Sequence, residues 1–206
     1  MYGKLITIVG NSGVGKTTLA KKLCAAGGFA GGLEQRQEER PFQALMAADL
    51  SRYALPNQMD FLLARAEQEL AMRKRGQMGL LDGGLEVDFF IFTRHFARRG
   101  YLSAAEYGLC ERLYTTLRQL LPPPEAIIWL DAPVEVAMAR HAARGRPLEI
   151  AQQTDLAELD ELLRDWLASP PPSPIWRIEA VGDGYLQEEA IAAMVEKLVM
   201  GVFHFS

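Results

Sequence analysis

The sequence predicts an α/β fold of three layers, a parallel sheet with helices packed on both of its faces. Two observations carry this reading. Short apolar, β-branched runs alternate with long helical patterns, and a glycine-rich loop joins the first run to the first helix. Alternation of this kind makes the strands parallel, because each helical crossover returns the chain to run in the same direction.

Residues 5–9, Leu-Ile-Thr-Ile-Val, are apolar and flanked by glycine, as a strand buried on both faces should be. A second run, 78–81, stops at Asp82-Gly83-Gly84. The third, 126–130, is entered from three prolines and left at Asp131-Ala132-Pro133. The fourth, 175–178, lies between a proline cluster and the glycines Gly182 and Gly184. The first helix is expected over 18–25. Ser103 and Glu106 form a capping-box pattern that opens a helix running to 121. A further helix spans 134–144, between Pro133 and Gly145. Residues 155–168 carry Leu156, Leu159, Leu162, Leu163 and Trp166 at helical spacing. Ile191, Met194, Val195 and Leu198 give the last helix its apolar stripe.

The chain of 206 residues suits one compact domain, 1–206. Its composition, 49% hydrophobic and 23% charged, excludes a disordered chain. Twenty-six acidic against 22 basic residues leave a net charge of −4, which argues against a nucleic-acid polymer as partner. Cys24 and Cys110 are too few for a disulfide framework or a four-ligand zinc site. No uncharged apolar run approaches the ~20 residues that span a bilayer. A soluble, cytoplasmic protein with no membrane partner is expected.

Gly10-Asn11-Ser12-Gly13-Val14-Gly15-Lys16-Thr17 fits the pattern G-x-x-x-x-G-K-[ST] at every fixed position, and Thr18 opens the helical run behind it. The glycines let backbone N–H groups turn inward around an anion, and the helix N-terminus adds its positive dipole end. Lys16 would reach the β- and γ-phosphates, and the Thr17 hydroxyl would take a place on Mg²⁺. The loop therefore predicts a nucleoside triphosphate, and the fold narrows to a P-loop kinase sandwich. A guanine-reading Asn-Lys-x-Asp segment is missing from the sequence, which excludes the common GTPase pattern.

Arg140 and Arg144 fall on one helical face at i and i+4, with Arg146 across a glycine. Guanidinium forks there could neutralise a transferring phosphoryl group, as part of a helical lid over about 140–153. The same arginines equally suit the C-terminal dipole of a solvated helix.

Taken together, these segments resemble the deoxynucleoside kinase family, whose members phosphorylate the 5′-hydroxyl of deoxynucleosides. The resemblance runs from Lys4 to about Gly184. Beyond the P-loop it includes Pro41-Phe42, residues 51–58 and 61–65, Leu81-Asp82, Asp88, Phe92, residues 129–133 and the segment 144–149. It implies ATP as donor, Mg²⁺ as cofactor, a nucleoside as acceptor, and a homodimer formed through helices 87–99 and 103–121. Residue by residue, it implies Glu34 as general base, with Lys16, Arg140, Arg144 and Arg146 around the transferred phosphoryl. Gln58 would read the base, Arg65 and Asp88 would form the charged pair beside it, and Phe92 would stack on it. Asp82 would lie near magnesium and Glu149 near the sugar 3′-hydroxyl, while the loop 180–184 would pack on the donor adenine.

Two positions depart from the family pattern. The arginine expected after the acid is replaced by Gly83, and Ala47 stands where a tyrosine would help Glu149. A slow kinase is expected unless another arginine substitutes, and Arg36, Arg40 and Arg94 are the nearby candidates by position. Two other readings stay open: a nucleoside monophosphate kinase, and a nucleotide-binding protein with little turnover.

Overall fold

The computed structural model describes residues 3–32, 41–144, 153–169 and 173–203. Among them, five strands form one parallel sheet: β1 (Leu5–Val9), β2 (Ala30–Gly32), β3 (Gly79–Asp82), β4 (Ala126–Asp131) and β5 (Ile175–Glu179). The spatial order is β2-β3-β1-β4-β5, so β1 lies at the centre. Its neighbours keep register at Ile8, which faces Asp82 on β3 and Ile128 on β4.

The period-two alternation of β1 divides the core between the two faces. Ile6 and Ile8 join Leu19 and Leu23 of α1 (Lys16–Gly27) and Ile191 and Leu198 of α8 (Glu188–Phe203). On the opposite face, Val9 and Ile127 pack on Leu159, Leu163 and Trp166 of α7 (Leu156–Ala168). Leu5 and Leu81 pack on Met72 of the 25-residue α3 (Leu50–Lys74). This is the expected α/β sandwich, with α2 (Pro41–Ala48) against α3, α4 (Arg94–Arg98) and α5 (Ala104–Leu120) beyond it, and α6 (Val134–Arg144) after β4.

Most elements lie within a residue or two of where their sequence signals put them. Ser103 caps α5, with Glu106 completing the reciprocal box. Strand β2 is the element that apolar runs alone did not give, because Ala-Gly-Gly has no hydrophobic signature. The other unexpected element is Val87–Thr93, seven residues of π-helix that run directly into α4.

Buried charges fix α3 against its neighbours. Arg73 pairs with Glu69 and Glu125 and donates to the carbonyls of Gly3, Pro122 and Pro123. Arg118 of α5 bridges Glu69 and Glu86. Burial pushes the Glu86 carboxyl up from its ordinary range, and Arg118 opposes that shift. The network sets the axial position of α3, and with it Arg65 one turn before Glu69 and Gln58 about three turns before it.

The two helices expected at a dimer face carry Phe89, Phe90, Leu109, Leu113 and Leu117, more apolar surface than one sheet face needs, and the five fare differently in the fold. Phe89 is buried within its own chain, stacked 4.6 Å from Tyr114, and Phe90 sits between Tyr114 and Trp166. Leu113 and Leu117 pack on the cluster around Phe89 and Cys110. Of the five, Leu109 is exposed, and it shares α5 with Leu120, which is 70% exposed. The rest of the aromatic surface is used to hold the 87–93 helix to α5.

Candidate active site

The loop between β1 and α1 is built around backbone geometry that side chains would obstruct. Gly15 caps α1 with φ +103°, and a Cβ there would overlap the Tyr185 hydroxyl. Tyr185 donates to the Val14 carbonyl at 3.0 Å, bracing the loop from behind. Asn11 donates to the Leu156 carbonyl at 2.8 Å and accepts from the Ser12 N–H at 2.8 Å. The Lys16 ammonium lies across the loop, donating to the carbonyls of Gly10 (3.0 Å) and Asn11 (2.9 Å). Gly13 and Val14 complete the turn, and Thr18 is exposed in the first turn of α1.

Asp82 ends β3 beside the loop, because its register partner on β1 is Ile8. Its Oδ2 accepts from the Thr17 hydroxyl. A hydroxyl and a buried carboxylate thus converge at the start of α1, a donor set of hard oxygens that suits a divalent cation. Among the described residues no group of three His, Cys, Asp or Glu side chains could hold a metal.

Arg140 of α6 donates to the carbonyls of Ala180 (2.9 Å), Val181 (3.2 Å) and Val14 (3.4 Å), and lies 3.5 Å from Asp183. Its guanidinium ties the loop 180–184 to the back of the P-loop. Arg144 closes α6. The Arg144 side chain, Glu34, Arg146 and Glu149 lie outside the described residues, as do Arg36 and Arg40.

On the other side of Asp82, α3 and the π-helix build a polar cluster inside the protein. Arg65 Nε donates to Asp88 Oδ2 at 3.0 Å, both side chains buried, and Nη1 donates to Gln68 at 3.1 Å. Breaking such a buried pair by removing one partner typically costs ~3–5 kcal/mol. Gln58, 2% exposed, contacts the Thr93 hydroxyl at 3.0 Å. Phe92 is half-buried on the same helix as Asp88, and Ala47 is exposed on α2.

Gly83 joins the two halves of the site. Its N–H continues the ladder to the Ile8 carbonyl at 2.9 Å, and its φ is +81°. A Cβ at this position would lie 3.1 Å from Arg65 Nη2. The guanidinium beside the turn after Asp82 is therefore that of Arg65, reaching in from α3. Arg94, a candidate by sequence position, instead lies over the Phe90 ring at 4.7 Å.

Introducing a side chain at position 83 is accordingly expected to be harmful. Gly83→Ala forces an L-residue into the left-handed region at a cost of about 1–2 kcal/mol. For a chain of this size that corresponds to a Tm loss of about 2–8 °C. Gly83→Arg also displaces Arg65 and lowers turnover instead of restoring it. Thermal melts and steady-state rates of both variants check this; unchanged values would show that the turn relaxes freely.

Three residues of this site carried no signal in the sequence reading. Tyr185 is a lone aromatic in a short turn. Thr93 sits five residues after Asp88, a spacing that matters only in a π-helix. Asn57, next to Gln58, is 0% exposed, and both ends of its amide lack a hydrogen-bond partner.

The deoxynucleoside kinase family model matches residues 6–200, nearly the whole chain. This protein belongs to the deoxynucleoside kinase family. Among the kinases it resembles, a deoxyadenosine/deoxycytidine kinase of Bacillus subtilis (strain 168) is 25% identical across 97% of this chain and 93% of its own length. A deoxyguanosine kinase of the same organism is 27% identical, covering 78% of this chain and 75% of its own. The fold superimposes on deoxyadenosine kinase from M. mycoides with bound dCTP, with a TM-score of 0.77 at 18% identity. That match covers 96% of this chain and 99% of the other. The same M. mycoides kinase with bound dATP gives 0.77 at 20% identity, covering 95% and 99%.

Proposed function

We propose that this deoxynucleoside kinase transfers the γ-phosphoryl group of ATP to the 5′-hydroxyl of a deoxynucleoside. The observation that carries the reading is the continuity of the site through one turn. Thr17 pairs with Asp82, Asp82 is followed by Gly83, and Gly83 lies against the Arg65–Asp88 pair. A phosphate cradle and a buried polar cluster thus meet at one turn, as the sites of a donor and an acceptor about to react require.

In this reading the P-loop N–H groups from Gly10 to Thr18 and the Lys16 ammonium hold the donor phosphates. Mg²⁺, held by Thr17 and Asp82, would neutralise charge on the phosphate oxygens. Arg140 acts as a positioning residue, keeping the loop 180–184 in place for the donor base. Glu34 takes the 5′-hydroxyl proton as the O5′–P bond forms and the bond from phosphorus to the bridging oxygen of ADP breaks. Arg144 and Arg146 meet the charge on the moving phosphoryl, and Glu149 holds the 3′-hydroxyl. Gln58 reads the base edge, Arg65 and Asp88 flank it, and Phe92 stacks on its ring. These assignments rest on matching positions within the family, together with the placements described above for Lys16, Thr17, Asp82, Gln58, Arg65, Asp88 and Phe92.

Among the described residues no helix is long and apolar enough to cross a membrane. The same reading makes the protein one cytoplasmic domain, 1–206, with a lid segment over about 140–153, and a homodimer. Sedimentation checks the last point: a particle of about twice the 22.9 kDa chain mass is expected, and a monomer at micromolar concentration would refute it. The reaction itself is tested by identifying the product. Incubation with ATP, Mg²⁺ and deoxynucleosides should give a 5′-monophosphate by ³¹P NMR. Phosphorylation at the 3′ position, or ADP release without a nucleoside product, would overturn the assignment.

A further inference from the structure

Thr93 and Gln58 are both buried, and their contact poses a question of protons. The π-helical turn brings the Thr93 hydroxyl to 2.8 Å from the Asp88 carbonyl oxygen, and Gln58 Oε1 stands 3.0 Å from that same hydroxyl. A threonine hydroxyl has one proton to donate and two lone pairs to accept with. A backbone carbonyl is an acceptor and cannot turn; an amide can. With Oε1 of Gln58 toward Thr93, two acceptor oxygens would compete for a single proton. The lower-energy arrangement has Thr93 donating to the Asp88 carbonyl and accepting from Gln58 Nε2, with the glutamine carbonyl turned away.

Resting on the kinase reading above, we propose that Thr93 is a specificity-determining residue. It holds the Gln58 amide in one sense and so restricts the acceptor to one class of base edge. An amide reads a base with its carbonyl and the N–H on the same side, while its other N–H is the one engaged by Thr93. Adenine and cytosine present an amino group beside a bare ring nitrogen. Hypoxanthine and uracil present an oxo group beside a ring N–H, the reverse order. A glutamine free to flip serves both orders. One held by Thr93 serves one of them, since flipping leaves a buried hydrogen bond unmade.

The test compares kcat/KM for deoxyadenosine against deoxyinosine, and deoxycytidine against deoxyuridine, whose members differ only at this edge. In the wild-type protein the better-used pair should show a ratio about 10–100-fold from unity, the range spanned by one lost buried hydrogen bond. Thr93→Val, or Thr93→Ala if the valine variant fails to fold, should bring that ratio at least ~10-fold closer to unity, as the loss of that hydrogen bond requires. Thr93→Ser should keep it, and KM for ATP should stay constant across the set. A ratio that does not change in a folded variant lacking the hydroxyl overturns the proposal. So does a wild-type protein that does not discriminate, or a shift in KM for ATP as large as the shift in ratio. If none of the four is phosphorylated while deoxyguanosine or thymidine is, this inference fails and the kinase reading stands; if no deoxynucleoside is phosphorylated, both fail.

Discussion

Lys16→Ala should lower kcat by about 10²–10³-fold or more, the usual cost of one preorganised donor aimed at transition-state charge. The ammonium is held by two P-loop carbonyls, at 3.0 Å from Gly10 and 2.9 Å from Asn11. Its position is set by the backbone of the loop itself, beside the N–H groups proposed to hold the phosphates. Its removal takes away a cation without leaving a buried carboxylate unpaired, so the fold should survive. Far-UV circular dichroism and a thermal melt establish folding, and coupled ADP release gives the rate. Near-native turnover in a folded Lys16→Ala protein would contradict any phosphoryl-transfer role for the loop.

Glu34→Gln keeps the side-chain shape and removes its basic oxygen. Loss of a positioned general base typically costs ~10²–10⁴ in kcat. KM for ATP should change little, because a base at this position would act on the acceptor hydroxyl; that is the pattern of an interaction made only in the transition state. If kcat barely moves, Glu34 is not the base, and Asp82 becomes the next candidate for its position beside Thr17.

The parts of this protein most legible in its sequence are those written in local chemistry. The P-loop needs specific residues at fixed spacing, and the capping box at Ser103 and Glu106 is a reciprocal bond between neighbours in sequence. The central strands declare themselves by burial on both faces, which demands continuous apolar runs. What escaped the reading depends on contacts made across the fold. Strand β2 exists because β3 offers it a parallel edge, and its own residues, Ala-Gly-Gly, carry no preference. Thr93 acquires meaning through the widened π-helical turn that brings it to Asp88.

Gly83 shows the same limit from another side. Judged from sequence it is an absent arginine, and adding one looks like a repair. In the fold it is a left-handed turn with the Arg65 guanidinium already against it. The sign of the substitution is set by a residue eighteen positions earlier, on another helix. The aromatic residues near the predicted dimer face teach a related lesson. Phe89 and Phe90 exceed what a sheet face needs because they hold the 87–93 helix against α5 and α7.

The most direct test of the central claim, that a phosphate cradle and a nucleoside pocket share the turn after Asp82, is a coupled ADP-release assay. ATP and Mg²⁺ are supplied with a panel of deoxynucleosides and, separately, with the matching 5′-monophosphates. Saturable ADP release is predicted with at least one deoxynucleoside and not with its monophosphate, and Lys16→Ala should abolish it. Release that depends on monophosphates, or no acceptor-dependent release from a folded, ATP-binding protein, would contradict it.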